Sequence, residues 1–379
     1  MTLPPHADGP LGAVRSLVPE VRARAAETEA ARRLPPDLVT AMADAGLFRM
    51  AVPQSLGGLE TDATTIIRAI EALACADGAT GWNLMIGATT AVLAGWLPDG
   101  AAKEIYGDPG VITGGVFAPR GRARPVPGGY EVSGRWPFAS GCQHCDWLAG
   151  GCVVDDDPIP RMLFFPRDDV SIIDTWTVSG LAGTGSHDMA VDDLFVPAGR
   201  EVAVGFAEPR EPGPLYRFPI FGLLASVVAA VGLGIGRAAL DELTELADVK
   251  TPTLASRRLA EQPITQVELA KAEAALGAAR ALLTHTVART WATTVDGQEV
   301  DDTDRARLRA AATHAAQTAA SVTRAMYELG GGSSIYATSP LQRHFRDAHV
   351  VTQHMLVAPP TYGLAGRVLL GLPDDTVLL

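Results

Sequence analysis

A chain of 379 residues that is 47% apolar has material for a large core and for two or three packed units. Its formal net charge of −12 argues against nucleic acid or an anionic membrane as the main partner and leaves a small molecule open. Four cysteines (Cys75, Cys142, Cys145 and Cys152) and the absence of a basic, apolar leader in "MTLPPHADGP" point to a reducing, cytoplasmic setting.

The first hundred residues read as helices. Residues 11–33 carry an apolar stripe with charges opposite. "PPDLVTAMADAGLFRMAVP" (35–53) opens on proline and stops at glycine and proline. Residues 62–97 read as two helices split near Asp77–Gly78. From about 110 to 202 the segments become short and alternating, separated by glycine, proline and aspartate. "PVPGGYEV" is a hairpin signal, because Gly-Gly supplies the positive φ of a tight turn. "SHDMAVDDLFVP" (186–197) reads as a closing strand, so a small barrel or sandwich is expected here. Helices return over about 218–248, 263–295, 303–329 and 340–356. "FPIFGLLASVVAAVGLGIGRAAL" (218–240) approaches spanning length, but its glycines and Phe-Pro opening mark a buried core helix. The alanine-rich helices after it should pack closely as a bundle. Ser339 is a candidate N-cap, with Pro340 in the first turn and Gln342 at the third position. There is no βα alternation and no strand followed by G-x-G-x-x-G, which argues against a Rossmann domain and leaves NAD(P)H without a motif.

Three stretches carry candidate chemistry. "GRWPFASGCQHCDW" (134–147) holds a C-x-x-C pair, but in an all-β setting and without a clear second pair of ligands. Cys142 and Cys145 therefore read as core thiols, and no metal is expected. Trp136, Phe138 and Ser140 alternate on one side of an extended segment. Two aromatics ending in a hydroxyl would suit a planar ring, and would equally suit a plain core strand. The run "GLAGTGS" (180–186) can cradle a phosphate or hydrogen-bond a ring edge, or can simply join two strands. "ELGGGSSIYATSPLQRHFRDAHVVTQH" (328–354) joins a glycine-rich loop to a helix with Arg343, Arg346, Asp347, His349 and His354. Asp347 and His354 share a helix face but lie about 10 Å apart along it, so they form no dyad. His354 would act alone as a base near neutral pH, or be a satisfied core histidine.

In element order and in "ADGATGWNL", "GRWPFASGCQHCDW", "SGLAGTGSHDMAVDDLFVP" and "GGGSSIYATSPLQRHFRDAHVVTQH", nearly the whole chain resembles the acyl-CoA dehydrogenase fold. The closer resemblance is to its two-component flavin-dependent monooxygenase branch, the oxygenase component. The resemblance implies an α+β chain with an N-terminal helical domain (1–108), a middle β-barrel domain (109–203) and a C-terminal four-helix bundle (204–379), assembled as a homotetramer. It implies that Ser140 lies at the reactive edge of the flavin ring, with Trp136 and Phe138 as a dry wall and Thr184 and Ser186 against the same ring. Gly331, Gly332 and Ser333 would hold the phosphate end, partly across a subunit interface, with Arg258 as a candidate phosphate ligand. His354 would face the substrate; Trp82 is a further candidate for that pocket, and His144 either touches substrate or simply closes the turn.

The branch further implies reduced flavin, FMNH2 or FADH2, delivered by a separate NAD(P)H-dependent reductase, and O2 as co-substrate through a C4a-hydroperoxide. His354 would then take a proton from a phenol or assist proton return, with Ser140 orienting the flavin. The family's dehydrogenases need a glutamate, and "RDAHVVTQHMLVAPP" has no carboxylate after Asp347. Many of its hydroxylases carry a second histidine after the "GW" pair, where this chain has Thr89 and Thr90. The first expectation is hydroxylation of an aromatic or polyketide-like molecule. N-oxygenation of an amine or amino sugar, an FAD-dependent acyl-CoA dehydrogenase and a flavin-free scaffold are the alternatives.

Overall fold

The structure, a computed structural model, describes residues 9–372 and 379. Six helices come first: α1 (Gly9–Ala23), α2 (Ala25–Ala31), α3 (Pro36–Asp44), α4 (Ala63–Ala76), α5 (Gly78–Thr90) and α6 (Asp99–Tyr106). The break between α4 and α5 falls at Asp77, where the sequence places it. Asp77 caps α5 by accepting from the Thr80 backbone N–H at 2.8 Å.

Seven strands follow: β1 (Thr113–Val126), β2 (Gly129–Ala139), β3 (Trp147–Val154), β4 (Asp157–Pro166), β5 (Ser171–Ile173), β6 (His187–Pro197) and β7 (Glu201–Val202). The expected Gly-Gly hairpin joins β1 to β2, pairing Val126 with Gly129, and Gly128 has φ +85°. The sheet order is β5-β6-β2-β1-β3-β4-β7. This corrects the expected barrel: the sheet is open. Its edges, β5 and β7, are three and two residues long and do not pair with each other. Closure needs a full-length ladder between the last strands, and alternation within each strand carries no information about that ladder.

The remaining helices are α7 (Pro214–Arg217), α8 (Ile220–Val249), α9 (Pro263–Val295), α10 (Asp302–Gly330), α11 (Pro340–Val351) and α12 (Pro360–Leu369). Helices α8 to α11 form the bundle, with α8 against α9, α10, α11 and also α4 and α5. α8 is long and apolar enough to cross a membrane, yet it is almost wholly buried as a core helix of the fold. One contiguous core joins the first helices, the sheet and the bundle, from Ala13 through Trp136 and Leu233 to Val357. Two local readings change. Ser339 sits at the N-cap position of α11 without a side-chain cap bond, and Gln342 instead donates to the Ala337 carbonyl at 3.1 Å. α11 ends at Val351, so His354 lies in the turn after the helix and not on its face.

Candidate active site

The strand β2 departs from regular pairing at its end. Its register with β6 shifts between Trp136 and Ala139, and Phe138 has φ +68°. Alternation fails across such a bulge, so Trp136 and Phe138 do not share a face. The Trp136 ring is fully buried, donates to the Gly151 carbonyl at 2.7 Å and packs against Phe165. A Cβ on Gly121 or Gly150 would collide with it. Phe138 turns outward, 66% exposed, with its ring edge-on to Trp176 at 6.1 Å. Of the two aromatics expected to form a dry wall together, Trp136 is core and Phe138 is a solvent-facing ring.

Just past the bulge, the Ser140–Gly141 turn is stitched to the loop before β6. The Gly141 N–H donates to the Thr184 carbonyl at 2.9 Å. Four polar side chains meet here in the dry interior. Trp82, on α5, donates its indole N–H to Ser140 Oγ at 3.0 Å. Ser140 and Ser186 hydroxyls lie 2.6 Å apart, and Ser186 and Thr184 hydroxyls 2.7 Å apart. Thr184 donates to the Leu181 carbonyl at 2.7 Å. All four side chains are buried.

His354 completes this cluster. Its ring meets Trp82 edge-on at 5.7 Å. Burial, and then the positive charge of Arg309, push its pKa down to about 4, so it is neutral at pH 7. The Leu356 N–H donates to His354 Nδ1 at 3.3 Å. That bond assigns the lone pair to Nδ1 and the proton to Nε2. The ring therefore offers a donor, not a free base.

His144 lies on the other side of Gly141, against Phe48 at 6.3 Å, and burial lowers its pKa to about 4. It lines a cleft of about 140 Å³ with Arg33, Leu34, Pro36, Val39 and Gln143. Asn83 is close by: its amide nitrogen donates to the Ala79 and Gly183 carbonyls, while its buried Oδ1 has no hydrogen-bond partner among the described residues. Sequence reading passes over Asn83, although it follows Trp82 directly. A larger surface groove of about 380 Å³ around Tyr130 and Asp157 lies at the opposite end of β2 from Ser140, roughly 30 Å away.

The loop carrying the hydroxyls is clamped from α11. Asp347 accepts the Leu181 N–H at 2.6 Å, and Arg346 binds the Ser179 carbonyl and Glu29. A Cβ on Gly180 would lie 2.6 Å from the Arg346 carbonyl, so loop and helix touch backbone to backbone. Burial raises the Asp347 pKa to about 7, opposed by the Leu181 N–H and reinforced by the Asp77 carboxylate.

Other expected residues lie apart. Gly331, Gly332 and Ser333 form a short turn ahead of α11, a helix of 12 residues and about 18 Å that leads on to the His354 turn. Arg258 is paired with Asp248 and Glu261 on the surface. The cation beside the glycine turn is Lys250, which donates to the Gly330 carbonyl at 2.6 Å; as one of several charges at the end of α8, after Asp241, Glu242, Glu245 and Asp248, it carries little sequence signal. Thr89 donates its hydroxyl to the Met85 carbonyl of its own helix. Cys142 and Cys145 are buried free thiols whose protons point at the Gly185 and Gly141 carbonyls. Burial raises the Cys142 pKa to about 11, as ordinary core thiols require.

A planar ring fits these residues. An outward aromatic face, a hydroxyl two residues on and an orphaned amide oxygen converge on one turn.

The chain is similar to known proteins over nearly its whole length. Residues 12–100 match the acyl-CoA dehydrogenase N-terminal domain and residues 226–359 the acyl-CoA dehydrogenase C-terminal domain. The chain is 38% identical to indole-3-acetate monooxygenase of Pseudomonas putida, covering 92% of this chain and 90% of that one. It superposes on the 3-HSA hydroxylase of Rhodococcus with a TM-score of 0.92 at 30% identity, covering 98% of this chain and all of the other. XiaF of a Streptomyces species, solved with FADH2 and glycerol, superposes with a TM-score of 0.90 at 28% identity over 96% of this chain and 95% of that one.

Proposed function

Since the chain belongs to the oxygenase components of two-component flavin-dependent monooxygenases, built on the acyl-CoA dehydrogenase fold, we propose that it oxygenates a small indole-type aromatic. It uses reduced flavin and O2, and the flavin supplies the electrons that place one oxygen atom on the substrate while the other leaves as water. Ser140 would hold the edge of the flavin ring, and Phe138 would offer it an aromatic face. Trp82 and the buried apolar surroundings of α5 keep water from the reacting edge.

One observation carries the substrate class: the His354 lone pair is taken by the Leu356 N–H. A phenol gains reactivity by losing its proton to a base. Here His354 presents Nε2–H, and Thr89 and Thr90 are not basic at neutral pH. An indole ring is nucleophilic at carbon without losing a proton, so this site serves it as it stands. The indole-3-acetate relative supports the same class. His354 then donates a hydrogen bond to oxygen at the reacting centre, the proton-return role rather than the base role. His144 lines the approach beside the substrate.

Reduced flavin arrives from a separate reductase. Gly331, Gly332 and Ser333 of a neighbouring copy in a homotetramer would hold the phosphate end, with Lys250, bound to the Gly330 carbonyl, as the cation at that turn. The exposed apolar side chains Ile264, Val267, Leu282 and Val295 of α9 support such self-association. Free, largely buried thiols suit a cytoplasmic enzyme.

The test supplies reduced flavin and ¹⁸O₂ with indole-3-acetate or a phenol of similar size. Labelled indolic product, with kcat/KM at least about tenfold above the phenol's, is expected from one missing proton-accepting interaction. A preference for the phenol by the same margin would reject the indole class.

A further inference from the structure

The buried hydroxyls around Ser140 form a chain whose direction is fixed at one end. The Leu181 carbonyl can only accept, so Thr184 spends its single hydroxyl proton there. The 2.7 Å contact to Ser186 then requires Ser186 to donate. Its proton is thereby used, and the 2.6 Å contact to Ser140 requires Ser140 to donate. At the other end the Trp82 indole N–H, which can only donate, takes one lone pair of Ser140 Oγ. What Ser140 has left is one lone pair and no proton.

We infer that Thr184 and Ser186 fix the polarity of Ser140, holding it as an obligate hydrogen-bond acceptor, and that this is what makes the site accept a reduced ring, which carries N5–H, over an oxidised ring, whose N5 is a lone pair. The inference rests on the placement of the flavin edge at Ser140 given above. A reduced ring donates N5–H to the waiting lone pair. An oxidised ring sets lone pair against lone pair in a dry site, where an unmet acceptor carries its full desolvation penalty. The consequence is a cycle suited to a carrier shared with a reductase: reduced flavin is held, and the oxidised form left after turnover is let go. Thr184 and Ser186 are positioning residues in this arrangement. They act through the proton of Ser140.

The experiment is anaerobic equilibrium titration of the full chain with reduced and with oxidised FMN and FAD, read as the ratio of the two dissociation constants. The wild type should favour the reduced form. Ser186→Ala and Thr184→Val each release the Ser140 proton, which can then turn to an oxidised N5, and the ratio should fall about tenfold, the worth of one hydrogen bond. Thr184→Ser keeps the hydroxyl and should keep the wild-type ratio. Trp82→Phe removes a donor but leaves the Ser140 proton on Ser186, so it too should hold the ratio within about threefold. Thermal melting of each variant, with Thr184→Ser as the conservative control, separates loss of fold from loss of selection.

Two failures differ. If Ser140→Ala weakens reduced-flavin binding while Ser186→Ala and Thr184→Val leave the ratio unchanged, the flavin is at Ser140 and the chain does not set its polarity, which overturns the inference alone. If Ser140→Ala changes neither constant, the flavin lies elsewhere, and the inference falls with the placement it rests on.

Discussion

At His354, burial and a single backbone N–H decide the chemistry. A histidine with its pKa near 4 does not titrate between pH 6 and 8, and its Nδ1 is occupied. The oxygenation rate should therefore be flat across that range. His354→Gln, which keeps an N–H donor, should retain most of kcat, and His354→Leu should lose about 10²-fold, the low end of what one hydrogen-bond donor to developing charge contributes. A rate limb with a pKa between 6 and 7 that vanishes in His354→Gln would make the residue a base after all. The residue types of the site were legible in the sequence: Trp82, Ser140, Thr184, Ser186 and His354 do come together. Their directions were not. Period-two alternation places Trp136 beside Phe138, but one left-handed φ at Phe138 reverses it. No local pattern announces that the Leu356 N–H will fill the His354 lone pair.

The loop between β5 and β6 holds its shape through α11, and that coupling is open to test at Asp347. Removing the carboxyl in Asp347→Ala leaves the buried Leu181 N–H unmet and should cost about 1–3 kcal/mol. Asp347→Asn keeps an acceptor and should cost less. The two proteins should also respond differently to pH. The folded pKa of Asp347, about 7, exceeds the usual carboxylate value, so folding binds a proton here. The stability tied to that proton is whole below about pH 4 and is lost as pH rises through 7. Asp347→Asn escapes this loss, so its stability relative to wild type should rise by about 3 kcal/mol between pH 5 and 8 in urea titrations. An unchanged difference would mean that Asp347 is charged throughout and the clamp is a plain ion–dipole contact. Asp347 was visible in the sequence as half of an Arg-Asp pair. Its partner was not, because Leu181 lies 166 positions away.

Over the whole molecule, composition and periodicity carried the order of helices, strands and bundle, because each element's period is local. The closure of the sheet is a contact between β5 and β7, and no period reports it; the expected barrel is an open sheet for that reason. The same limit applies to the flavin's phosphate end. Gly331 to Ser333 and His354 lie on opposite sides of α11 in the chain, and the proposed flavin site joins them through a neighbouring copy, which no local pattern can report. A crystal structure grown anaerobically with reduced flavin examines this most directly. The ring should lie with N5 within hydrogen-bonding distance of Ser140 Oγ and its face on Phe138, and its phosphate should reach Gly331–Ser333 of a neighbouring copy. A flavin ring bound away from Ser140, with the hydroxyl chain untouched, would contradict the site.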